Sequence, residues 1–263
     1  MSYVDAHLHL ADPAYAGRIE QLMDDAEKNN IDCLLSNAVD FETSVETISL
    51  SKRYYGRVLA AVGIHPWTVS KKISLELEKF QQLLTDNSRY VRAIGEVGLD
   101  GKYSQDMEKK KAQREVFEFF LTLAERNELP VVIHSRLAVD EVLETLSSFD
   151  PAGVILHWYD GPVEKLDLIR QHGYFITVGP TIFYSCRIRE IALKADVGMI
   201  LSETDGPVLH HGPFEGKMTQ PSFVIPVIQK IAEIRSEKLE AIRDAVSRNF
   251  DRFVVRNAGQ NKR

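Results

Sequence analysis

Val91-Arg92-Ala93-Ile94-Gly95-Glu96-Val97-Gly98-Leu99-Asp100 is the stretch on which the fold turns. Its first seven residues, Val91–Val97, form a mostly apolar run of strand length. A helical pattern lies on either side. Leu75–Leu84 precedes it and Glu108–Arg126 follows, the latter with Phe117, Phe120, Leu121 and Ala124 at helical spacing. A strand between two helices is the unit of a parallel sheet with helical crossovers. Inside the strand stands Glu96. Burying a carboxylate costs free energy unless it is paired or bound to a metal ion, so Glu96 is either a salt-bridged strand end or part of a site.

The same alternation runs outward in both directions. Short apolar runs fall at Tyr3–Ala6, Cys33–Asn37, Val58–Ile64, Pro130–His134, Gly153–His157, Tyr174–Val178 and Gly198–Ser202. Helical patterns fall between and after them, at Ile19–Asn30, Glu42–Tyr55, Asp140–Ser148, Val163–Gln171, Arg187–Leu193, Pro221–Ile234 and Leu239–Phe253. Eight strand–helix repeats predict a closed α/β barrel, the (β/α)8 TIM barrel, rather than an open sheet. No linker, repeat or low-complexity tract divides the 263 residues, which reads as one domain, 1–263.

The bulk composition excludes some functions. A net charge of −6 does not suit a long basic groove for nucleic acid. The apolar runs are too short to span a bilayer. The two cysteines, Cys33 and Cys186, have no metal-ligand spacing, and no signal peptide is read at the N-terminus. A cytoplasmic protein with free thiols is expected, and no obligate protein partner is indicated.

The ends of the runs carry the chemistry. The first ends Asp5-Ala6-His7-Leu8-His9. Residues i and i+2 of a strand share a face, about 6–7 Å apart, so two imidazoles can converge on one ion; a chance HxH is the alternative. Gly63-Ile64-His65-Pro66-Trp67 closes the third run, where His65 either faces a site or caps a turn. His134 closes the fifth run, ahead of Ser135 and Arg136, and His157 closes the sixth. Glu203-Thr204-Asp205-Gly206-Pro207 closes the eighth. Each could be a satisfied polar strand end; together they converge on the C-terminal mouth, where barrel enzymes do their chemistry. His172, at a helix end, reads as structural, His210 and His211 as loop histidines, and Lys109-Lys110-Lys111 as a solvated face.

In order and spacing these motifs, with Leu129-Pro130-Val131-Val132-Ile133-His134 and the closing Asn249-Phe250-Asp251-Arg252-Phe253, resemble the TatD-type metal-dependent hydrolases over nearly the whole chain. The resemblance implies an amidohydrolase-type barrel, a centre of two divalent ions, and hydrolysis of phosphodiesters, often as a deoxyribonuclease. Carried over, His7, His9 and Asp205 would bind one ion, Glu96 would bridge, and His134 and His157 would bind the second. Where related amidohydrolases often use a carbamylated Lys bridge, Glu96 stands here, which favours phosphoester over amide or carboxyl-ester hydrolysis. A non-catalytic binding protein on the same barrel is the third reading, and the six intact ligand positions argue against it.

The substrate loops depart from the family pattern at Gly101-Lys102-Tyr103, Ser135-Arg136-Leu137, His157-Trp158-Tyr159-Asp160-Gly161 and Met218-Thr219-Gln220-Pro221. The expected mechanism has Asp205 orienting water or taking its proton. Glu203 would fix the tautomer of a ligand histidine from behind. His65 and Arg136 would contact phosphate, with Lys102, Arg187 and Arg189 as further anion contacts and Trp67 or Trp158 stacking on a base. Mixed nitrogen and oxygen ligation suits Zn, Mn, Fe or Co better than Mg. The expected substrate is a phosphoester, DNA or a nucleotide end, bound at a terminus rather than within a duplex.

Overall fold

A computed structural model describes residues 2–69, 74–103 and 106–255. Its strands are β1 (Tyr3–Leu8), β2 (Ile31–Asn37), β3 (Val58–Val62), β4 (Val91–Gly98), β5 (Val131–His134), β6 (Val154–Leu156), β7 (Phe175–Val178) and β8 (Ile200–Ser202). They form one sheet in sequence order, with every adjacent pair parallel. The helices between and after them are α1 (Ile19–Lys28), α2 (Phe41–Arg53), α3 (Ser74–Asn87), α4 (Met107–Arg126), α5 (Val139–Leu146), α6 (Leu166–Gln171), α7 (Cys186–Lys194), α8 (Val224–Arg235) and α9 (Leu239–Val255). The fold is the expected (β/α)8 barrel.

The strands are buried on both faces, as parallel strands covered by helices must be; β5 to β8 have no exposed residue. Polar side chains set where the helices begin. Asp40 Oδ1 accepts from Thr43 N at 2.8 Å and Thr43 Oγ1 accepts from Asp40 N at 3.0 Å, a reciprocal cap that starts α2. Asp106 and Ser185 accept from the third residues of α4 and α7.

The barrel closes at a seam between β8 and β1. Ser202 Oγ donates to Val4 O at 2.8 Å, and Thr204 N and Oγ1 donate to the buried Asp5 carboxylate at 3.0 and 2.6 Å. Beyond the strand ends, Asp205 N bonds His7 O at 2.9 Å and His9 N bonds Gly206 O at 2.7 Å. These bonds bring the two ends of the sheet together beside the mouth.

Several elements differ in extent from the sequence reading. β8 is shorter, because Asp196 caps a 3-10 turn over Val197–Met199 and takes those residues out of the run. The Val163 and Pro221 patterns each begin as a 3-10 turn, with the α-helix starting at Leu166 and Val224. β3 and β6 stop at Val62 and Leu156, so His65 and His157 ride on the loops that follow. No helix among the described residues is long and apolar enough to cross a membrane.

Candidate metal centre

His7 and His9 leave β1 on the same side, and Glu96 reaches toward them from β4. His7 Nε2 and His9 Nε2 are 3.2 Å apart. They lie 3.3 and 3.4 Å from Glu96 Oε2, and 3.4 and 3.3 Å from Asp205 Oδ1. Ligand bonds of about 2.0–2.1 Å to a tetrahedral ion put neighbouring donor atoms about 3.3–3.4 Å apart. The separations of the two imidazole nitrogens from each other and from both carboxylate oxygens, 3.2–3.4 Å, match that edge length.

The other oxygen of Glu96 faces a second set. Oε1 is 2.8 Å from His134 Nδ1, 2.8 Å from His157 Nε2 and 3.2 Å from His65 Nε2. His134 Nδ1 is in turn 3.3 Å from both His157 Nε2 and His65 Nε2. Glu96 is therefore shared between two groups of donors, and the triads His7-His9-Glu96 and His65-Glu96-His134 within them are each compact enough for one cation. His7, His9, Glu96, His134, His157 and Asp205 are all brought together, and His65 joins them.

The far side of each imidazole tells which ring nitrogen is free. His9 Nδ1 donates to Asn37 O at 2.9 Å, which leaves its Nε2 lone pair facing the first set. His134 Nε2 donates to Asp100 Oδ2 at 2.7 Å, which frees Nδ1 for the second. Glu203, fully buried beneath the centre, has Oε2 3.5 Å from His157 Nδ1. His65 turns its protonated side inward: its Nδ1 accepts from Trp67 N at 3.1 Å, so in the neutral ring the proton sits on Nε2. His65 thus presents a donor to the second set where its neighbours present lone pairs.

The electrostatics follow. Burial alone would raise Glu96, but His157, His65 and His7 outweigh it and hold the carboxyl well below its usual range. Asp205 is held low against burial by the bonds from His7 and His9. Burial alone would lower the histidines; instead His9 is drawn up by Asp205, His134 by Asp100, and His157 by Glu96 and Glu203. For His65 burial prevails and the ring stays neutral. These shifts favour positive charge beside the buried carboxylates, which divalent cations on the same atoms would supply with the rings uncharged. His7 Nδ1, His157 Nδ1 and Glu203 Oε2 are buried without a hydrogen-bond partner, the mark of a group of side chains arranged around something else. The residues fit two divalent ions.

Asp100 went unassigned in the sequence and is the hub of the rim. Besides His134, its Oδ2 accepts from Trp67 Nε1 at 2.7 Å and from Arg136 Nε at 3.0 Å, and it pairs by charge with Arg136 Nη2 at 2.9 Å. Its Oδ1 accepts from Lys102 N and Tyr103 N. Its place in Gly98-Leu99-Asp100, just past the strand end of Glu96, was the available signal. Arg136 lines the mouth as expected, but two of its guanidinium nitrogens are engaged by Asp100.

Three expectations change. His210 is not a solvated loop histidine: it is buried, donates from Nε2 to Thr204 O at 2.8 Å, and receives Tyr184 OH at Nδ1 at 3.1 Å. It braces the segment that ends in Asp205. Arg187 and Arg189 do not stand ready for anions. Arg187 is spent on the carbonyls of Asp160 and Gly161, and Arg189 on those of Ile182 and Phe183. The centre opens into a cavity of about 540 Å3, lined further out by Trp67, Arg136, Trp158 and Asp160.

Comparison with known proteins now decides the lineage. The family model described as TatD related DNase matches residues 4–254. The chain belongs to that family. As a TatD-type chain it is a metal-dependent hydrolase. It is 29% identical over 256 residues to an uncharacterized metal-dependent hydrolase of Methanocaldococcus jannaschii, covering 97% of this chain and 98% of the other. It is likewise 29% identical over 255 residues to deoxyribonuclease TATDN3 of Homo sapiens, covering 94% and 92%. Among solved structures, the TatD homologue YjjV of Escherichia coli superposes with a TM-score of 0.88 at 28% identity, covering 96% of this chain and 97% of that one.

Proposed function

We propose that this TatD-type hydrolase cleaves phosphodiesters with two divalent ions, one held by His7, His9, Glu96 and Asp205 and the other by Glu96, His134 and His157. The observation that carries the reading is the pair of donor sets sharing the two oxygens of Glu96. Bound there, such ions supply charge neutralisation at a phosphoryl group and acidify a water molecule. The nitrogen-rich donor set favours Zn, Mn, Fe or Co over Mg. The human relative's name, deoxyribonuclease, supports DNA as the polymer that carries the phosphodiester.

The side chains divide the work. Asp205 stays ionised, at the edge of the cavity, and serves as the proton acceptor for the attacking water. His65, neutral and with its proton on Nε2, donates to a phosphoryl oxygen. Arg136, fixed by Asp100, places a positive charge at the mouth. Glu203 stands behind His157, and its carboxylate 3.5 Å from Nδ1 favours the ring proton on that side, leaving Nε2 for the second ion. A cytoplasmic setting belongs to the same proposal, since Cys33 and Cys186 are free thiols.

The test is a chelator-stripped protein reloaded with single metals and assayed on a phosphodiester, a phosphomonoester and a carboxyl ester. Metal-restored turnover of the phosphodiester is the expected result. Turnover of the carboxyl ester with none of the phosphodiester would overturn the reading.

A further inference from the structure

Trp67 is a large aromatic ring held still in the open. It is 52% exposed, yet fixed from three directions. Its indole N–H donates to Asp100 Oδ2 at 2.7 Å and its backbone N–H to His65 Nδ1 at 3.1 Å. Its ring meets His65 edge-on at 4.5 Å between centroids and Tyr103 at 5.0 Å. The Arg136 guanidinium stands over both Trp67 and Tyr103, at 5.2 and 5.0 Å from the ring centroids. An exposed indole loses hydrophobic free energy to water. Here that surface lines the cavity directly beside the second donor set.

Resting on the phosphodiesterase reading, we infer that Trp67 is the stacking platform for the nucleobase that flanks the scissile phosphate on the His65–His134 side. A platform of this kind works because its ring is immobilised before the base arrives, so little conformational entropy is lost on binding. Trp158 also lines the cavity, but it is less exposed than Trp67 and no hydrogen bond fixes its indole among the described residues. The cation against Trp67 and Tyr103 adds charge beside the base without a hydrogen-bond pattern that reads its identity. The geometry therefore selects for the presence of a base and is tolerant of which base it is.

The experiment compares two oligonucleotides that differ only at the terminal residue, one with a base and one abasic, for wild type, Trp67→Ala and Trp67→Phe. Wild type is expected to favour the base-bearing end by roughly tenfold or more in kcat/KM, the scale of one base–aromatic stack. Trp67→Ala should bring that ratio close to one. Trp67→Phe, which keeps a ring but loses the bond to Asp100, should retain most of it. A second readout needs no turnover: deoxyadenosine 5′-monophosphate should quench tryptophan fluorescence saturably in wild type and not in Trp67→Phe, where Trp158 alone emits. An unchanged base preference in Trp67→Ala, or active wild type without such a preference, overturns the platform. Loaded wild type that cleaves neither oligonucleotide overturns the phosphodiesterase reading instead. The quenching comparison then decides the platform on its own, and undiminished quenching in Trp67→Phe sinks it.

Discussion

At the scale of single residues, Glu96 is the position with the most at stake. Each of its oxygens serves a different donor set, so Glu96→Gln should lower the occupancy of both ions together. Metal analysis after dialysis measures this, and unchanged stoichiometric binding would contradict a shared carboxylate. Asp205→Asn keeps the shape and removes the proton acceptor, with an expected loss of about 10²–10⁴-fold in kcat. A rate near wild type would leave Asp205 no part in proton transfer. The six ligand candidates were legible in the sequence because strand periodicity and strand ends dictate where they point. Asp100 and His210 were not, because their roles depend on contacts across loops. Asp100 gathers Trp67 from the loop after β3 with His134 and Arg136 from the end of β5 and the loop that follows it, and His210 reaches back to Thr204 from six residues on. Periodicity carries no information about such contacts. The tautomer of His65 was hidden for the same reason: it is set by one backbone N–H two residues away.

At the scale of elements, the alternation of runs gave all eight strands and their order, while their ends shifted by a few residues. The shifts have local causes, such as the Asp196 cap that shortens β8. The far end of β8 is secured by α9. Asn249 on that helix is buried and donates through Nδ2 to Val197 O and Ile200 O, both at 2.8 Å. Asn249→Ala would remove both bonds at the base of the strand that delivers Asp205, although Val197 O keeps the backbone N–H of Ile200. A destabilisation of about 1–3 kcal/mol is expected, the cost of losing a buried polar partner. Urea unfolding reads it as a lower midpoint, and an unmoved midpoint would show that the tie adds nothing. β4 is constrained at its other end. Gly98 has φ +139°, and a Cβ there would run into the backbone of His134. That close approach lets the strand turn toward Asp100, and it requires glycine at this position.

At the scale of the whole molecule, ions held as proposed between residues of β1, β4 and the segment after β8 would bind the folded chain and not the unfolded one. At a free metal concentration of a hundred times Kd this linkage stabilises by about 2.7 kcal/mol per site. In a chain of this length that corresponds to a rise in Tm of about 5–10 °C. Thermal scans with and without chelator measure it, and identical midpoints would argue against ions in the folded centre. The charge of the mouth makes a separate prediction. Arg136 is the one Lys or Arg among the described residues lining the cavity, which also presents Asp12 and Asp160. Binding of single-stranded DNA should then show a log–log salt slope of about −0.7, the contribution of one phosphate neutralised by protein. A slope of many units would require a basic track along the surface. The seam between β8 and β1 has one more consequence, in time rather than space. Thr204, which grips Asp5, lies 199 residues after it. At about 5–20 residues per second the ribosome takes about 10–40 s to cover that distance. For that interval His7 and His9 have left the ribosome without Asp205, so the first donor set is completed only late in translation, and a prematurely terminated chain carries its first two imidazoles with no fourth ligand to close the set.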